Sequence, residues 1–251
     1  MKNQKQFNYK LILEYDGSFF VGWQRQRGFA TAQQCIEEAL LKVTKVACVA
    51  HGSGRTDRGV HATGQVAHVI FNTDFSLDRL RRGGNFYLHD VPLRILSVEK
   101  MPFDFHARFS ALKRHYCYRL LNRPSPSPLR HQRVWWVPKK LDLAAMQEAA
   151  SLFVGHHDFS AFRDAACQAN SPLKTMDTCQ FFEENDELHL KLSARSFLHH
   201  QVRIMVGTLV KVGHGVWPAS YITQLLSTKV RSQSGPTAPP GGLYLTQVDY
   251  R

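Results

Sequence analysis

The sequence of 251 residues has no apolar run long enough to span a membrane, and no apolar signal segment follows its polar first residues. With 43% hydrophobic residues the chain can nevertheless bury a sizeable core. These features predict a globular protein of the cytoplasm with no membrane partner. Its length fits one large domain or two modest ones.

Cysteine is scarce and poorly placed for cross-linking. The five cysteines are an odd number, lie far apart and include no Cys-x-x-Cys pair, which argues against a disulfide framework and against a zinc site. The thirteen histidines include no His-Glu-x-x-His or comparable ligand spacing. We therefore expect no metal.

Acidic residues are also few. Twenty of them stand against 32 lysines and arginines, which gives a formal net charge of +12. A basic surface attracts polyanions through counterion release and long-range steering, and nucleic acid is the commonest such partner. The charge alone does not distinguish RNA from DNA, and many basic proteins bind neither.

One stretch, SGRTDRGVHATGQV at residues 53–66, concentrates glycines and charged groups around a single acid, Asp57. A dinucleotide loop is excluded because Asp57 stands where its third glycine should be, and a P-loop because no Gly-Lys-Ser/Thr ending follows. An ordinary Gly/Asp turn with solvated charges remains an alternative. If the stretch is a site, Arg55 and Arg58 favour the ionised form of Asp57, which suits a nucleophile or a base.

Hydrophobic periodicity predicts an α+β fold. Strands are expected at 9–15, 65–71, 91–98, 116–121, 178–183, 188–192 and 243–250. Helices are expected after a Thr31 cap, within 76–84, after an Asp142 cap with Gly155 at its C′ position, at 202–213, and from Pro218. Similar element orders predict two halves, residues 1–108 and 109–251.

The loop after the first strand mixes aromatic, amide and guanidinium groups, among them Trp23, Arg25 and Arg27. Such a loop suits stacking on bases and binding of phosphates. A solvated basic loop with one anchoring tryptophan is an equal alternative.

The string GRTDxGVHAxGQV at residues 54–66 closely resembles the active-site motif of the tRNA pseudouridine synthase A family. Further stretches resemble the same family in the same order: EYDG at 14–17, GWQRQ at 22–26, DFHARFSA at 104–111, RHYxY at 114–118, HDFSAFR at 157–163, FLHHQVR at 197–203 and GLYL at 242–245. One departure is the segment Asn85–Asp90, where the family usually has Asn-x-x-Leu-Pro.

The resemblance implies two ferredoxin-like, RRM-like halves that form a continuous, mostly antiparallel sheet, with helices on one side and an RNA-binding cleft on the other. The implied activity is isomerisation of uridine to pseudouridine at positions 38, 39 and 40 in the anticodon stem-loop of tRNA. The implied protein is a homodimer that needs no cofactor, in keeping with the lack of nucleotide motifs.

The resemblance also assigns roles to residues. Asp57 is the nucleophile, Tyr116 stacks on the target base, and Arg203 pairs with the catalytic carboxylate and keeps it ionised. Arg55 takes the place of the extruded base or contacts its phosphate, and Leu243 packs under the base in an apolar wall. Four residues are weaker candidates for RNA contact or loop support: Arg25, His61, Gln65 and Arg108.

Two other classes of function compete with the isomerase. A catalytically silent RNA-binding protein would have lost the acid or its arginine, and both are present. A hydrolase of N-glycosidic bonds would need two neighbouring working carboxylates, whereas only Asp57 can be nominated. Release of free uracil would separate hydrolysis from isomerisation.

Overall fold

A computed structural model describes residues 5–251 of the protein. The fold class is α+β, as predicted. The chain divides into two compact units, the first running up to Leu112 and taking in Leu245–Arg251, the second spanning Lys113–Tyr244. The division thus falls four residues after the expected point at 108, and the last seven residues belong to the first unit.

The first unit has strands β1 (Phe7–Tyr15), β2 (His51–Gly52), β3 (His61–Phe71) and β4 (Leu93–Met101), and helices α1 (Ala32–Thr44) and α2 (Gly84–Tyr87). A π-helical turn, Arg79–Gly83, leads directly into α2. Strand β1 is central, with β3 and β4 antiparallel on either side. Strand β3 begins at His61, four residues before its predicted start, so the second half of the 53–66 stretch is strand rather than loop.

Strand β1 buries the face that its alternation predicts. Tyr9, Leu11, Leu13 and Tyr15 are at most 3% exposed, and Glu14 faces solvent. Burying such side chains stabilises the fold by roughly 1.5–3 kcal/mol each. The strand is thereby fixed at its end, where the chain turns toward the candidate site.

Helix α1 begins at the predicted cap, where the Thr31 hydroxyl accepts a hydrogen bond from the Gln34 amide at 3.3 Å. The Gln34 side chain donates to Glu38 instead of returning to Thr31, so one arm of a capping box forms. Ile36 and Leu40 are buried. The helix ends at Thr44 and is capped by Lys45, whose left-handed φ of 61° closes the last turn.

The second unit has strands β5 (Lys113–Leu121), β6 (Trp135–Trp136), β7 (Gly155–Asp158), β8 (Leu173–Glu184) and β9 (Glu187–Ala194), and helices α3 (Leu143–Ser151), α4 (Gln201–Gly213) and α5 (Tyr221–Thr228). The strand order is β5-β9-β8-β7, with antiparallel neighbours, and β6 pairs in parallel with β5. Strand β10 (Leu243–Asp249) closes the chain, and its part beyond Tyr244 belongs to the first unit.

Two predicted helix boundaries are wrong. Asp142 caps α3 as expected, but α3 ends at Ser151, and Gly155 begins strand β7 with a φ of 115°. Pro218 does not start α5, because Ser220 is its N-terminal cap. The proline instead accepts a hydrogen bond at its carbonyl from the Tyr221 amide, in the turn that precedes the helix.

The atypical segment Asn85–Asp90 is held to β4 by side chains. The Asn85 amide exchanges hydrogen bonds of 2.8 and 2.9 Å with the backbone of Ile95. The Arg94 guanidinium donates to the carbonyl oxygens of Leu88 and Val91 at 2.7 and 2.6 Å. Asparagine at the first position therefore fixes the segment even though the proline of the family pattern is missing.

Among the described residues, no helix combines the length and hydropathy that crossing a bilayer requires.

Candidate functional site

Asp57 lies half-buried in the turn between β2 and β3. Its carbonyl accepts a hydrogen bond from Val60 at 3.1 Å, which closes the turn. The loop after β1 holds the turn from outside, since the Trp23 amide donates to Thr56 O at 3.1 Å. The acid is thus presented by a backbone that is fixed on both sides.

Two glycines in that outer loop permit this close approach. A Cβ at Gly17 would lie 2.1 Å from the carbonyl oxygen of Val60, and one at Gly22 would lie 2.6 Å from that of Thr56. Gly22 also has a φ of 114°, a conformation that residues with a side chain rarely adopt. The glycine content of the region therefore serves loop-to-loop packing.

A buried polar cage supports the turn from below. Gln65 accepts a hydrogen bond from the Ser53 hydroxyl at 2.7 Å and donates to Gly54 O at 3.0 Å. The Tyr15 and Thr56 hydroxyls lie 2.8 Å apart, and burial raises the pKa of Tyr15 to about 12. The phenol therefore stays neutral at physiological pH and acts as a hydrogen-bonding support.

Two of the weaker candidates, His61 and Gln65, are buried, at 3% and 0% exposure. The Gly17 amide donates to Nδ1 of His61 at 3.0 Å, so this imidazole ties the outer loop to β3. Of the two roles considered for this pair, RNA contact or loop support, the geometry favours loop support.

The three arginine candidates of the first unit lie on its surface. Arg55 is exposed beside Asp57 in sequence, and its Nε donates to Gln24 at 3.1 Å. Arg25 forms an ion pair with the buried carboxylate of Glu37 at 2.8 Å. The guanidinium of Arg108 lies 5.5 Å from the ring centroid of Phe109.

Trp23 does not present its ring for base stacking. It is 2% exposed, and its indole lies against Gly52, where a Cβ would come within 2.6 Å of the ring. Its ring also contacts that of Tyr15, with centroids 6.3 Å apart. Trp23 is thus the anchor of the loop, the second of the two roles considered for it.

In the second unit Tyr116 lies on β5 opposite Leu192 of β9 and is half-buried. Its ring meets Phe197 edge to face, with centroids 5.1 Å apart. Phe197 belongs to the segment just before α4, so this contact connects the strand to the start of that helix. An edge-on neighbour fixes the orientation of the tyrosine ring.

Arg203 lies in the first half of α4 and is clamped by the loop that follows α5. Its Nε donates to Ala238 O at 2.8 Å, and its own carbonyl accepts from the Ala238 amide at 3.1 Å. Its positive charge acts on Tyr118, lowering a pKa that burial otherwise raises well above the usual value. These hydrogen bonds fix the side chain of Arg203 at the edge of the helix, whereas a solvated arginine would be mobile.

Leu243 is the first residue of β10 and is 6% exposed. The preceding Gly242 lies against the Tyr118 ring, where a Cβ would come within 2.7 Å. Tyr118 donates its hydroxyl to Pro239 O at 2.7 Å. Sequence reasoning assigned no role to Tyr118, although it alternates with Tyr116 on the same face of β5.

Comparison with known proteins identifies relatives over nearly the whole chain. A family model described as tRNA pseudouridine synthase matches residues 149–251. Proteins named tRNA pseudouridine synthase A from Paramagnetospirillum magneticum and Bartonella quintana are each 48% identical, over 96% of this chain and 94% and 99% of their own lengths. The protein of that name from Rhodopseudomonas palustris is 49% identical over 96% of this chain and 99% of its own.

Proposed function

The chain belongs to the tRNA pseudouridine synthase A family, and we propose that it isomerises uridine to pseudouridine in tRNA with Asp57 as its nucleophile. Membership in the family makes it an isomerase. The observation that carries the assignment of Asp57 is its place in the motif at 54–66, in a turn held by the outer loop and the polar cage.

The reaction breaks the bond between N1 of uracil and C1′ of the ribose, turns the base and joins C5 to C1′. N1 gains a proton and C5 loses one, so no redox partner or phosphoryl donor is needed. An ionised carboxylate can open this sequence by attack on C1′, by attack on C6 of the ring, or by assisting proton removal at the sugar. All three routes need Asp57 in its charged form.

One aromatic and one aliphatic side chain of the second unit would hold the base. Tyr116 stacks on the extruded uracil, which its half-buried and oriented ring supports. Leu243 provides an apolar wall beneath the base. Arg203, ordered by Ala238, would pair with the carboxylate of the nucleophile and orient it.

The finer features of the proposal concern the substrate and the assembly. We place the modified uridines at positions 38, 39 and 40 of the anticodon stem-loop, with Arg55 filling the space that the extruded base leaves or binding its phosphate. The protein acts as a homodimer in the cytoplasm, with two ferredoxin-like halves and a basic RNA-binding cleft. The strand order β4-β1-β3, with helices between successive strands, supports that description of the first half.

The test is release of tritium from bulk tRNA labelled at C5 of uridine, with native protein and Asp57→Asn compared. We expect release by the native protein and none above background by the variant, because an amide cannot replace the carboxylate. Free uracil is measured in the same samples, and its appearance would indicate a hydrolase. A folded native protein that binds tRNA but releases no tritium would instead be a silent RNA binder.

A further inference from the structure

Four aromatic rings of the first unit form a connected set that reaches the surface. We call His51, His68, His106 and Phe109 the ring cluster. Successive ring centroids in that order lie 5.0, 4.5 and 4.4 Å apart. His68 is 2% exposed, whereas Phe109 is 71% exposed, so the cluster connects a buried imidazole to an exposed phenyl ring.

The backbone around Phe109 is fixed by the same imidazoles. The Ala107 amide donates to Nδ1 of His68 at 3.2 Å, and the Arg108 amide donates to Nδ1 of His106 at 3.1 Å. The His106 amide donates to the Ser110 hydroxyl at 2.9 Å. Phe109 is therefore an exposed apolar ring whose position is determined before anything binds to it, which lowers the entropic cost of binding.

Two residues that contact the Phe109 ring are cationic or polar. The Arg108 guanidinium lies 5.5 Å from its ring centroid, and the His106 ring lies against it. A surface for another protein usually offers a contiguous apolar patch with charged residues at its rim. An exposed ring with a guanidinium over it can instead stack a nucleobase on its exposed side while the cation meets a phosphate.

We propose that Phe109 and Arg108 form a stacking platform for an unpaired base of the RNA substrate other than the uridine being isomerised. This inference rests on the proposed function and adds a substrate contact that the function did not assign. The ring cluster is joined to the candidate site along the chain, because His51 pairs with His68 in the β2–β3 ladder and precedes Ser53 by two residues. The platform would hold an RNA loop while the Asp57 turn acts on its target.

The test measures RNA binding in an Asp57→Asn background, so that no turnover occurs. The probes are a synthetic anticodon stem-loop with 2-aminopurine in its unpaired loop, and a blunt duplex with the same stem sequence. We expect Phe109→Leu to weaken binding of the stem-loop about 5- to 150-fold, the range for loss of one base stack, and to reduce quenching of the 2-aminopurine. Phe109→Trp should retain binding, and the duplex should be unaffected.

The matched control is Phe103→Leu, which alters another exposed phenylalanine, 64% exposed, in the same segment. Phe109→Leu binding within twofold of the background protein would overturn the platform, as would an equal loss with Phe103→Leu. A change of oligomeric state in Phe109→Leu, measured by light scattering, would overturn it in favour of a protein contact. If the native protein forms pseudouridine and Phe109→Leu binds the stem-loop normally, the platform alone is refuted. If the native protein binds the stem-loop but does not isomerise uridine, the proposed function alone is refuted.

Discussion

His68 shows how a single buried side chain can set the pH range of the first unit. Its pKa is lowered to about 4, mainly by burial and in addition by the charges of the neighbouring His106 and His51, while burial is also the main cause of the lowered pKa of His106. Arg108, next to His106, adds positive charge to the same cluster. Burial and the charges of His106 and His51 therefore oppose protonation of His68, and the backbone hydrogen bond with His51 offsets only part of that effect.

The consequence is a loss of stability on acidification. An unfolded chain binds a proton at His68 near the usual pKa of about 6.5, whereas the folded chain does so only near 4. Stability is thus complete above pH 6.5 and falls as the pH drops toward 4, by about 2 kcal/mol at pH 5. We expect His68→Asn, whose amide oxygen can still accept from Ala107, to lose less stability than native protein between pH 8 and pH 5.

The measurement is thermal unfolding of both proteins at pH 8 and pH 5. The difference between the two Tm shifts reports the titration of His68 together with its electrostatic effect on the neighbouring His106. Equal shifts would show that His68 does not titrate in this range.

Individual site residues were predictable to different degrees. The placement of Asp57 in a turn before a strand followed from its motif, whereas its role as the nucleophile stays a prediction. For Gln65 the sequence left RNA contact and loop support open, because its partners Ser53 and Gly54 become neighbours only when β3 folds back along the turn. A polar side chain in a glycine-rich stretch has the same sequence pattern whether it faces RNA or a buried hydroxyl.

At the scale of elements, long periodic segments were predictable and short ones were not. Strand β1 and helices α1 and α4 carry enough alternating or helical repeats to be identified, and the structure confirms them. Strands β6 and β7 have two and four residues, too few to show a period, and they form because neighbouring strands offer hydrogen-bonding partners. Because a glycine is common both just after a helix and at the start of a strand, the residue type of Gly155 does not distinguish the two positions.

The loop between α5 and β10 is seated on α4 at Gly207. A Cβ there would lie 1.8 Å from the carbonyl oxygen of Pro236, so the backbone of the loop would have to move. The Gly235 amide donates to the Thr208 hydroxyl at 3.0 Å, and Ala238 holds Arg203. The helix and loop thus position the arginine together.

We expect overpacking in Gly207→Ala to cost about 1–3 kcal/mol, which outweighs the gain of roughly 0.5–1 kcal/mol from alanine in a helix, so that the protein is destabilised by the difference. Tritium release should also fall, because Ala238 moves with the loop. The measurements are Tm and isomerisation rate, with Ser227→Ala at an exposed position of α5 as control. An unchanged or raised Tm would contradict the close approach of the loop to α4.

At the scale of the molecule, composition predicted the class of partner better than any single motif of the basic loop. The excess of lysine and arginine gives the chain a charge of +12, and the exposed arginines of the first unit include Arg55, Arg82 and Arg108. Two of the residues proposed for catalysis, Asp57 and Arg203, belong to different units. The periodicity of the sequence does not indicate that residues of different units act in one reaction, whereas the resemblance to a family does.

If phosphate contacts dominate the binding of tRNA, its affinity must fall steeply with salt. We expect the Kd of Asp57→Asn for tRNA to weaken by about 10³-fold or more between about 50 and 200 mM NaCl, as for a protein with roughly six or more phosphate contacts. Arg55→Gln should lower the salt slope by about 1 if its guanidinium meets a phosphate. Arg82→Gln should leave the slope unchanged, because Arg82 is already paired with Asp78 at 2.7 Å. A slope that Arg55→Gln does not alter would leave Arg55 with its other proposed role, filling the space of the extruded base, because that contact releases no counterion.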